Sequence, residues 1–362
     1  MGAMRKGYVF LPAILLSCTT YGLSQQAAAP ASASPTPVAP HATTARINLD
    51  LLATDAAGKT VPELEPFDFT LMDNNQPRKI LSFRRVDGTA GNKIDPPVEV
   101  IIVLDAVNLP YQAVTLQRLE VDKFLRRNGG HLAQPVSIFL YTNQGLRVQP
   151  EPSRDGNALA AALDKSTGTV RARDLSGGVY SLFEQFQDSF NTINGIAENE
   201  ASKPGRKIVI WIGPGWPMLT ERFFIQTNES RVAYFQRIVA LSKKLRDARI
   251  TLYSVAPIVG VTGRDFYEKF LKPVTEPRKT EIANLALPVL SIQTGGRVLG
   301  PDNDLVGQID ACIADIGTYY TISFAPPQAT GPDEYHDLKV VVNKPGVTVR
   351  TNTGYYDEPP EH

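Results

Sequence analysis

Between Arg46 and residue 95 apolar and polar positions alternate with a period of two. Ile47, Leu49 and Leu51 have polar neighbours, Asp55-Ala-Ala-Gly58 is a turn signal, and Phe67, Phe69 and Leu71 alternate again. Asp73-Asn74-Asn75 then precedes a run through Ile80, Ser82 and Arg84. That period predicts half-buried strands. The carboxyl end has the same character at 319–324, 338–342 and 347–350, with Pro- and Gly-containing turns between. The rhythm between these ends is different. Residues 98–104, 136–141, 207–212 and 250–255 are near-continuous apolar runs, as expected for strands covered on both faces. Amphipathic patterns at 115–125, 181–193, 230–245, 279–293 and 305–316 predict helices.

Alternating buried strands and amphipathic helices predict an α/β fold with a doubly wound, mostly parallel sheet. Neither β end has enough strands to close a core alone. The expected architecture is therefore a β-sandwich built from residues 46–95 and 318–357, with the α/β domain, 98–316, inserted between its halves. The amino terminus reads differently again. Arg5 and Lys6 precede an apolar stretch and then small residues, the order of a secretory signal over residues 1–26. Leu15-Leu16-Ser17-Cys18 resembles a bacterial lipobox, which would put a lipid anchor on Cys18. Cleavage after Ser24 or within Ala27–Ala29 is the competing reading. Residues 27–45, rich in Ala and Pro, cannot bury enough surface to order themselves and read as a linker. The expected location is the periplasm, the envelope or the exterior.

Charge narrows the partners. Lys plus Arg and Asp plus Glu are 37 each, with no basic stripe, so nucleic acid is not an expected partner. Of the two cysteines, Cys18 lies in the leader, so no disulfide staples the folded part, and Cys312 reads as a small buried hydrophobe. The four histidines, His41, His131, His336 and His362, have no metal-ligand spacing, and no nucleophile elbow or phosphate loop occurs. Gly213-Pro-Gly-Trp-Pro217 follows a strand, but Met218 stands where a dinucleotide loop needs Gly or Ala. No enzyme class is supported.

Several stretches, taken in order, resemble the VWFA-related family of exported proteins abundant in acidobacteria. They are Ala53–Val61, Leu64–Asp73, Gln76–Ile80, Val103–Asn108, Thr294–Val298, Tyr319-Tyr320 and Pro345–Arg350 leading to Gly354-Tyr-Tyr356. The resemblance implies a von Willebrand factor A-like domain. Such domains carry a metal-ion-dependent adhesion site at the carboxyl edge of the sheet: Asp-x-Ser-x-Ser, a Thr on a second loop and an Asp on a third. Here Asp105 fits, but Val107 and Leu109 stand where hydroxyls are needed, Val179 of Ser176-Gly-Gly-Val179 stands in place of the threonine on the second loop, and Gly213-Pro214-Gly215 replaces the Asp on the third. A hard cation such as Mg²⁺ needs about six oxygens, and this set is poor. No cofactor is expected, and Asp105 is the one remnant ligand for Mg²⁺ or Ca²⁺. The family's biological role is usually unassigned; from the residues themselves the expected function is binding of a protein or cell-envelope polymer, metal-independent, through Asn108, Leu109, Ser176, Trp216 and Pro217, with Trp216 as a projecting anchor. The alternatives are a structural subunit of an envelope assembly and, less favoured, metal-dependent adhesion.

Overall fold

The computed structural model describes residues 46–149, 151–167, 178–220, 226–255, 267–300 and 302–359. The leader, the linker, Cys18 and Ser176 lie outside them.

Four amino-terminal strands come first: β1 (Ile47–Thr54), β2 (Phe69–Asp73), β3 (Gln76–Arg78) and β4 (Ser82–Asp87). The central region follows as β5 (Glu99–Asp105), α1 (Tyr111–Arg126), β6 (His131–Thr142), β7 (Gly145–Val148), β8 (Ser153–Asp155), α2 (Gly156–Thr167) and α3 (Gly178–Ala201). It continues with β9 (Lys207–Ile212), α4 (Asn228–Asp247), β10 (Ile250–Val255), α5 (Leu287–Gln293), β11 (Val298–Leu299) and α6 (Leu305–Ile313). The chain closes with β12 (Thr318–Phe324), β13 (Glu334–Val342), β14 (Thr348–Arg350) and β15 (Gly354–Asp357).

The central sheet has the order β11-β10-β9-β5-β6-β7, parallel from β11 to β6, with β7 antiparallel at the edge. Strands β5, β9 and β10 are buried at every position. Alternate residues feed two layers. Val100, Ile102 and Leu104 pack with Val121 and Phe124 of α1, Leu159 of α2 and Ile309 of α6. Ile101 and Val103 pack with Phe186 and Ile193 of α3 and Phe235 and Ile238 of α4. A strand covered on both faces has no polar side to show, which is why these runs are legible.

Both antiparallel sheets are composites of the two chain ends. One has the order β14-β1-β12-β4, the other β15-β13-β2-β3. Leu49, Leu51, Phe69 and Leu71 from the front share one apolar cluster with Tyr320, Ile322, Phe324 and Leu338 from the rear. Tyr355 Oη donates to Asp73 at 2.7 Å, and His336 Nδ1 lies 2.9 Å from the same carboxylate, so β2, β13 and β15 also meet through a buried polar group. Two expectations change. Phe67 is not in a strand; it sits in a 3₁₀ turn, 79% exposed. The helix expected over 279–293 is broken into two 3₁₀ turns and α5, with extended backbone at Ala286. Pro288 lacks an N–H for a preceding turn and so fits only the first turn of a helix. No helix among the described residues is long and apolar enough to cross a membrane.

The β region is tied to the α/β region by Arg249, which lies just beyond α4 at φ +55°. Its guanidinium donates to Asp50 of β1 at 2.7 and 3.0 Å and to Asp95 at 2.9 Å. Asp95 has no exposed side-chain surface and also accepts from Arg84 at 3.0 Å. Burial alone would push the Asp95 carboxyl up, but Arg84 and Arg249 outweigh it and hold it below the usual range. Removing one partner of a buried pair strands the other charge. Arg249→Met should therefore cost about 3 kcal/mol in urea unfolding at pH 7. A depressed carboxyl stabilises the fold above its unfolded value, near pH 3.9, and that share is lost as pH falls. The gap between wild type and variant should accordingly narrow below about pH 4; a gap independent of pH would contradict the assignment.

Candidate functional site

In open α/β sheets the binding crevice lies beyond the carboxyl ends of the strands, where the strand order reverses. Here that point lies between β5 and β9, whose neighbours β6 and β10 lead in opposite directions. Asp105 ends β5 and the loop at Gly213 follows β9, so the sheet places both at the crevice.

The Asp105 carboxylate is fully buried and accepts four hydrogen bonds. Oδ1 accepts from the backbone amides of Val107 at 3.0 Å and Asn108 at 2.9 Å. Oδ2 accepts from Asn108 Nδ2 at 2.8 Å and from the indole Nε1 of Trp211 at 3.0 Å. Burial pushes this carboxyl up, and the four donors oppose it. Every donor is an N–H that requires an acceptor, so the ring of contacts selects a carboxylate over a protonated acid. Asn108 Nδ2 also reaches Ser189 Oγ of α3 at 3.1 Å, and Ser189 meets Tyr141 Oη at 3.1 Å. Burial pushes the Tyr141 phenol up, which keeps it neutral. Gly213 is required at the third loop: it sits at φ +145°, and an added Cβ would lie 2.7 Å from Asp105 Cβ.

The residues expected to meet a partner are brought together, but mostly in the core. Leu109 is 2% exposed and Val107 1%. Trp216 is also 2% exposed; its Nε1 donates to the Leu285 carbonyl at 3.0 Å, and its ring stands edge-on to Trp211 at 5.5 Å. The expectation of a projecting Trp anchor is thus corrected. Gly215, at φ +68°, packs on Leu287 and turns the loop back onto the protein. Asn108 and Pro217 are half-buried, and Asn108 spends its donors inward. Ser176 lies outside the described residues.

Sequence reasoning placed the run 207–212, which contains Trp211, in a strand covered on both faces but missed the bond from Trp211 to Asp105, together with Ser189 and Tyr141. The signal was available: a buried indole needs an acceptor for its N–H, and Trp211 pairs with Val103, two residues before Asp105 on the neighbouring strand. It also missed two exposed aromatics at this edge. Tyr111 opens α1 directly after the Asp105 loop and is 55% exposed. Tyr180 lies in the first turn of α3, 76% exposed. The carboxyl end of α3 is held at the opposite edge, where Lys207 Nζ donates to the Glu200 carbonyl at 2.9 Å, so its first turn projects past the strand ends.

The A-type resemblance implies a metal here, and the residues do not fit one. The four lone-pair directions of Asp105 are taken by protein donors, and among the described residues no three His, Cys, Asp or Glu side chains stand together. Two substitutions separate a core network from a surface site. Asp105→Asn would turn an NH₂ toward donors and should cost about 2–3 kcal/mol in thermal unfolding. Trp216→Ala should cost about 3–5 kcal/mol, the range for truncating a buried large side chain. Stabilities within about 0.5 kcal/mol of wild type, as for surface positions, would contradict this geometry.

No protein-family model matches the chain, and no curated protein does. Among solved structures, the human COPII-coat protein Sec24c is similar with a TM-score of 0.37 and 8% identity, over 77% of this chain and 46% of that one. Manganese-loaded TRAP protein of Plasmodium vivax gives 0.33 and 11%, over 77% of this chain and 98% of that one. The pilus adhesin SpaC of Lactobacillus rhamnosus GG gives 0.30 and 9%, over 81% and 48%. The aligned part spans less than half the length of the Sec24c and SpaC structures. At these scores the likeness carries no functional assignment.

Proposed function

We propose that this chain is an exported, non-catalytic binding module of the von Willebrand factor A type, which engages a protein or cell-envelope polymer at the carboxyl edge of its central sheet without a metal. Export rests on the leader-like residues before the linker. The A-type reading rests on the family resemblance together with the sheet order, which reverses at β5 and carries one antiparallel edge strand. The observation that carries metal independence is the ring of four protein donors on Asp105. An ion would have to displace Trp211 and Asn108 to reach the carboxylate, and among the described residues no group of three His, Cys, Asp or Glu side chains stands there to help it. Contact then falls to the exposed aromatics. Tyr offers large area with few rotors, which suits it to recognition.

The test uses the mature chain immobilised against envelope extract, with and without chelator. Capture of a discrete soluble partner, undiminished by chelator, is the expected result. Tyr111→Ala and Tyr180→Ala should each weaken it about tenfold or more, since truncating an anchor costs about 2 kcal/mol. Calorimetry with Mg²⁺ and Ca²⁺ should give no saturable heat. Micromolar Mg²⁺ affinity that disappears in Asp105→Ala would restore metal-dependent adhesion. Recovery only with large insoluble assemblies would favour the structural-subunit reading.

A further inference from the structure

Arg246 sits in the last turn of α4 with 11% of its side chain exposed. Its Nη1 is buried and has no hydrogen-bond partner. Its Nε lies 3.7 Å from Asp247, whose other oxygen takes Lys243 at 2.7 Å. Asp357 is the other carboxylate near it. These two do not answer the guanidinium: burial holds it below its usual range against the pull of both. A buried charged donor left unanswered is costly.

Arg246 lines a cavity of about 20 Å³ where the β region meets the α/β region, together with Asn48 and Asp50 of β1, Arg249, Thr251 of β10 and Asn352. Ile250 completes the lining. One water needs roughly 10–15 Å³, so the space takes one water-sized particle and excludes a polyatomic anion. Three side chains of the lining carry uncommitted N–H groups. They are Arg246, through Nη1, and the amides of Asn48 and Asn352, neither of which bonds another described residue. Asp50, the one carboxylate of the lining, is already taken. Arg249 donates to it at 2.7 and 3.0 Å, and Thr321 Oγ1 donates at 2.9 Å.

Charge around the cavity is unbalanced in the same sense. Asp50 and Asp95 are answered by Arg249 and Arg84. Arg206, 3% exposed, has no carboxylate among its bonds; it donates to the Asp315 backbone carbonyl at 3.1 Å and to Thr251 Oγ1 of the lining at 3.5 Å. We infer that this cavity binds one monatomic anion of the size of chloride or bromide, held by Arg246 Nη1 and the amides of Asn48 and Asn352. Water would satisfy Nη1 but leave the charge of Arg246 and Arg206 uncompensated, whereas a halide does both. The carboxyl end of α4 carries a partial negative charge that opposes an anion, and Lys207 Nζ offsets it by donating to the Ala248 carbonyl at 3.2 Å. The ion would join β1 to α4 and to the segment before β15, beside the clip that Arg249 makes with Asp50. Ile250 and Thr251 open β10, so the site lies at the amino edge of the sheet, opposite Asp105, and does not rest on the binding reading.

The test is thermal unfolding of the full chain at pH 7 in sodium gluconate, replaced stepwise by sodium chloride at constant ionic strength. Tm should rise by about 2 °C or more as chloride goes from about 5 mM to about 0.5 M. Arg246→Gln and Asn48→Asp should each abolish that rise. Asn48 is exposed, so Asn48→Asp keeps the fold and decides the matter if Arg246→Gln does not fold. Bromide should act as chloride does. Sulfate stabilises any fold by its exclusion from protein surfaces, so its effect should be the same in wild type and Asn48→Asp. In crystals grown with bromide, an anomalous-scattering peak should stand in contact with Arg246 Nη1. The inference is overturned by a Tm that does not respond to the exchange of gluconate for chloride, or by a full chloride response in folded Arg246→Gln or Asn48→Asp. A sulfate effect lost in Asn48→Asp would overturn it too, as would bromide absent from the cavity. A bromide peak without a chloride-dependent rise would mark an adventitious ion only and overturn it as well.

Discussion

A carboxylate buried at the end of a central strand must be answered from all sides, and the carboxyl edge of this sheet is organised around that demand. Asp105 takes two amides from its own loop, one side-chain amide from Asn108 and one indole N–H from Trp211. Trp211 in turn seats Trp216, and Trp216 draws the Gly213–Pro217 loop down onto Leu285 and Leu287. Gly213 is the residue that lets this loop pass Asp105 without collision. A buried ion pair is poor evidence of stability by itself, but leaving such a group unanswered is costly. The loop sequence reads as a consequence: apolar Val107 and Leu109 fill space where an open site would need hydroxyls.

The other organising constraint is at the opposite edge. The two chain ends interleave in both antiparallel sheets, so neither set of strands has a complete ladder without the other. Arg249 and Asp95 bind this β region to the α/β region on one side. On another, the buried Asp315 receives Tyr253 Oη at 2.8 Å and lies 2.7 Å from Arg350 of β14. A fragment covering 98–316 alone would lose Asp50, Asp95 and Arg350 and leave Arg249 and Asp315 partly unanswered. These pairs couple the α/β region to its β partner.

How much of this was legible depended on burial. Strands covered on both faces, such as Lys207–Ile212 and Ile250–Val255, are apolar throughout and read directly. The short edge strands β7 and β8 are half-exposed and offer no such run. The Ala-rich helix α2 was also passed over, its apolar face being only Leu159, Ala160 and Leu163. In the 279–293 stretch apolar spacing suggested one helix, and a single proline decided otherwise. At the site, Asp105 stood out because it fits the first position of the adhesion-site pattern that the resemblance implies. The bond from Trp211 did not, because periodicity tells which face a side chain takes and not how far along the strand it reaches. Trp216 was misread for a related reason: a Gly-Pro-Gly loop looks exposed until the positive φ of Gly215 turns it inward.

The central claim is that Asp105 is spoken for by the protein itself. The most direct measurement is the indole Nε1–H signal of Trp211 in ¹⁵N-labelled protein, followed through hydrogen exchange with and without millimolar Mg²⁺. A charge-assisted bond in a sealed core predicts a resonance displaced from that of an exposed indole, slow exchange, and no change on adding the ion. Fast exchange, or a resonance that moves with Mg²⁺ in wild type and not in Asp105→Ala, would show an open carboxylate and contradict the account.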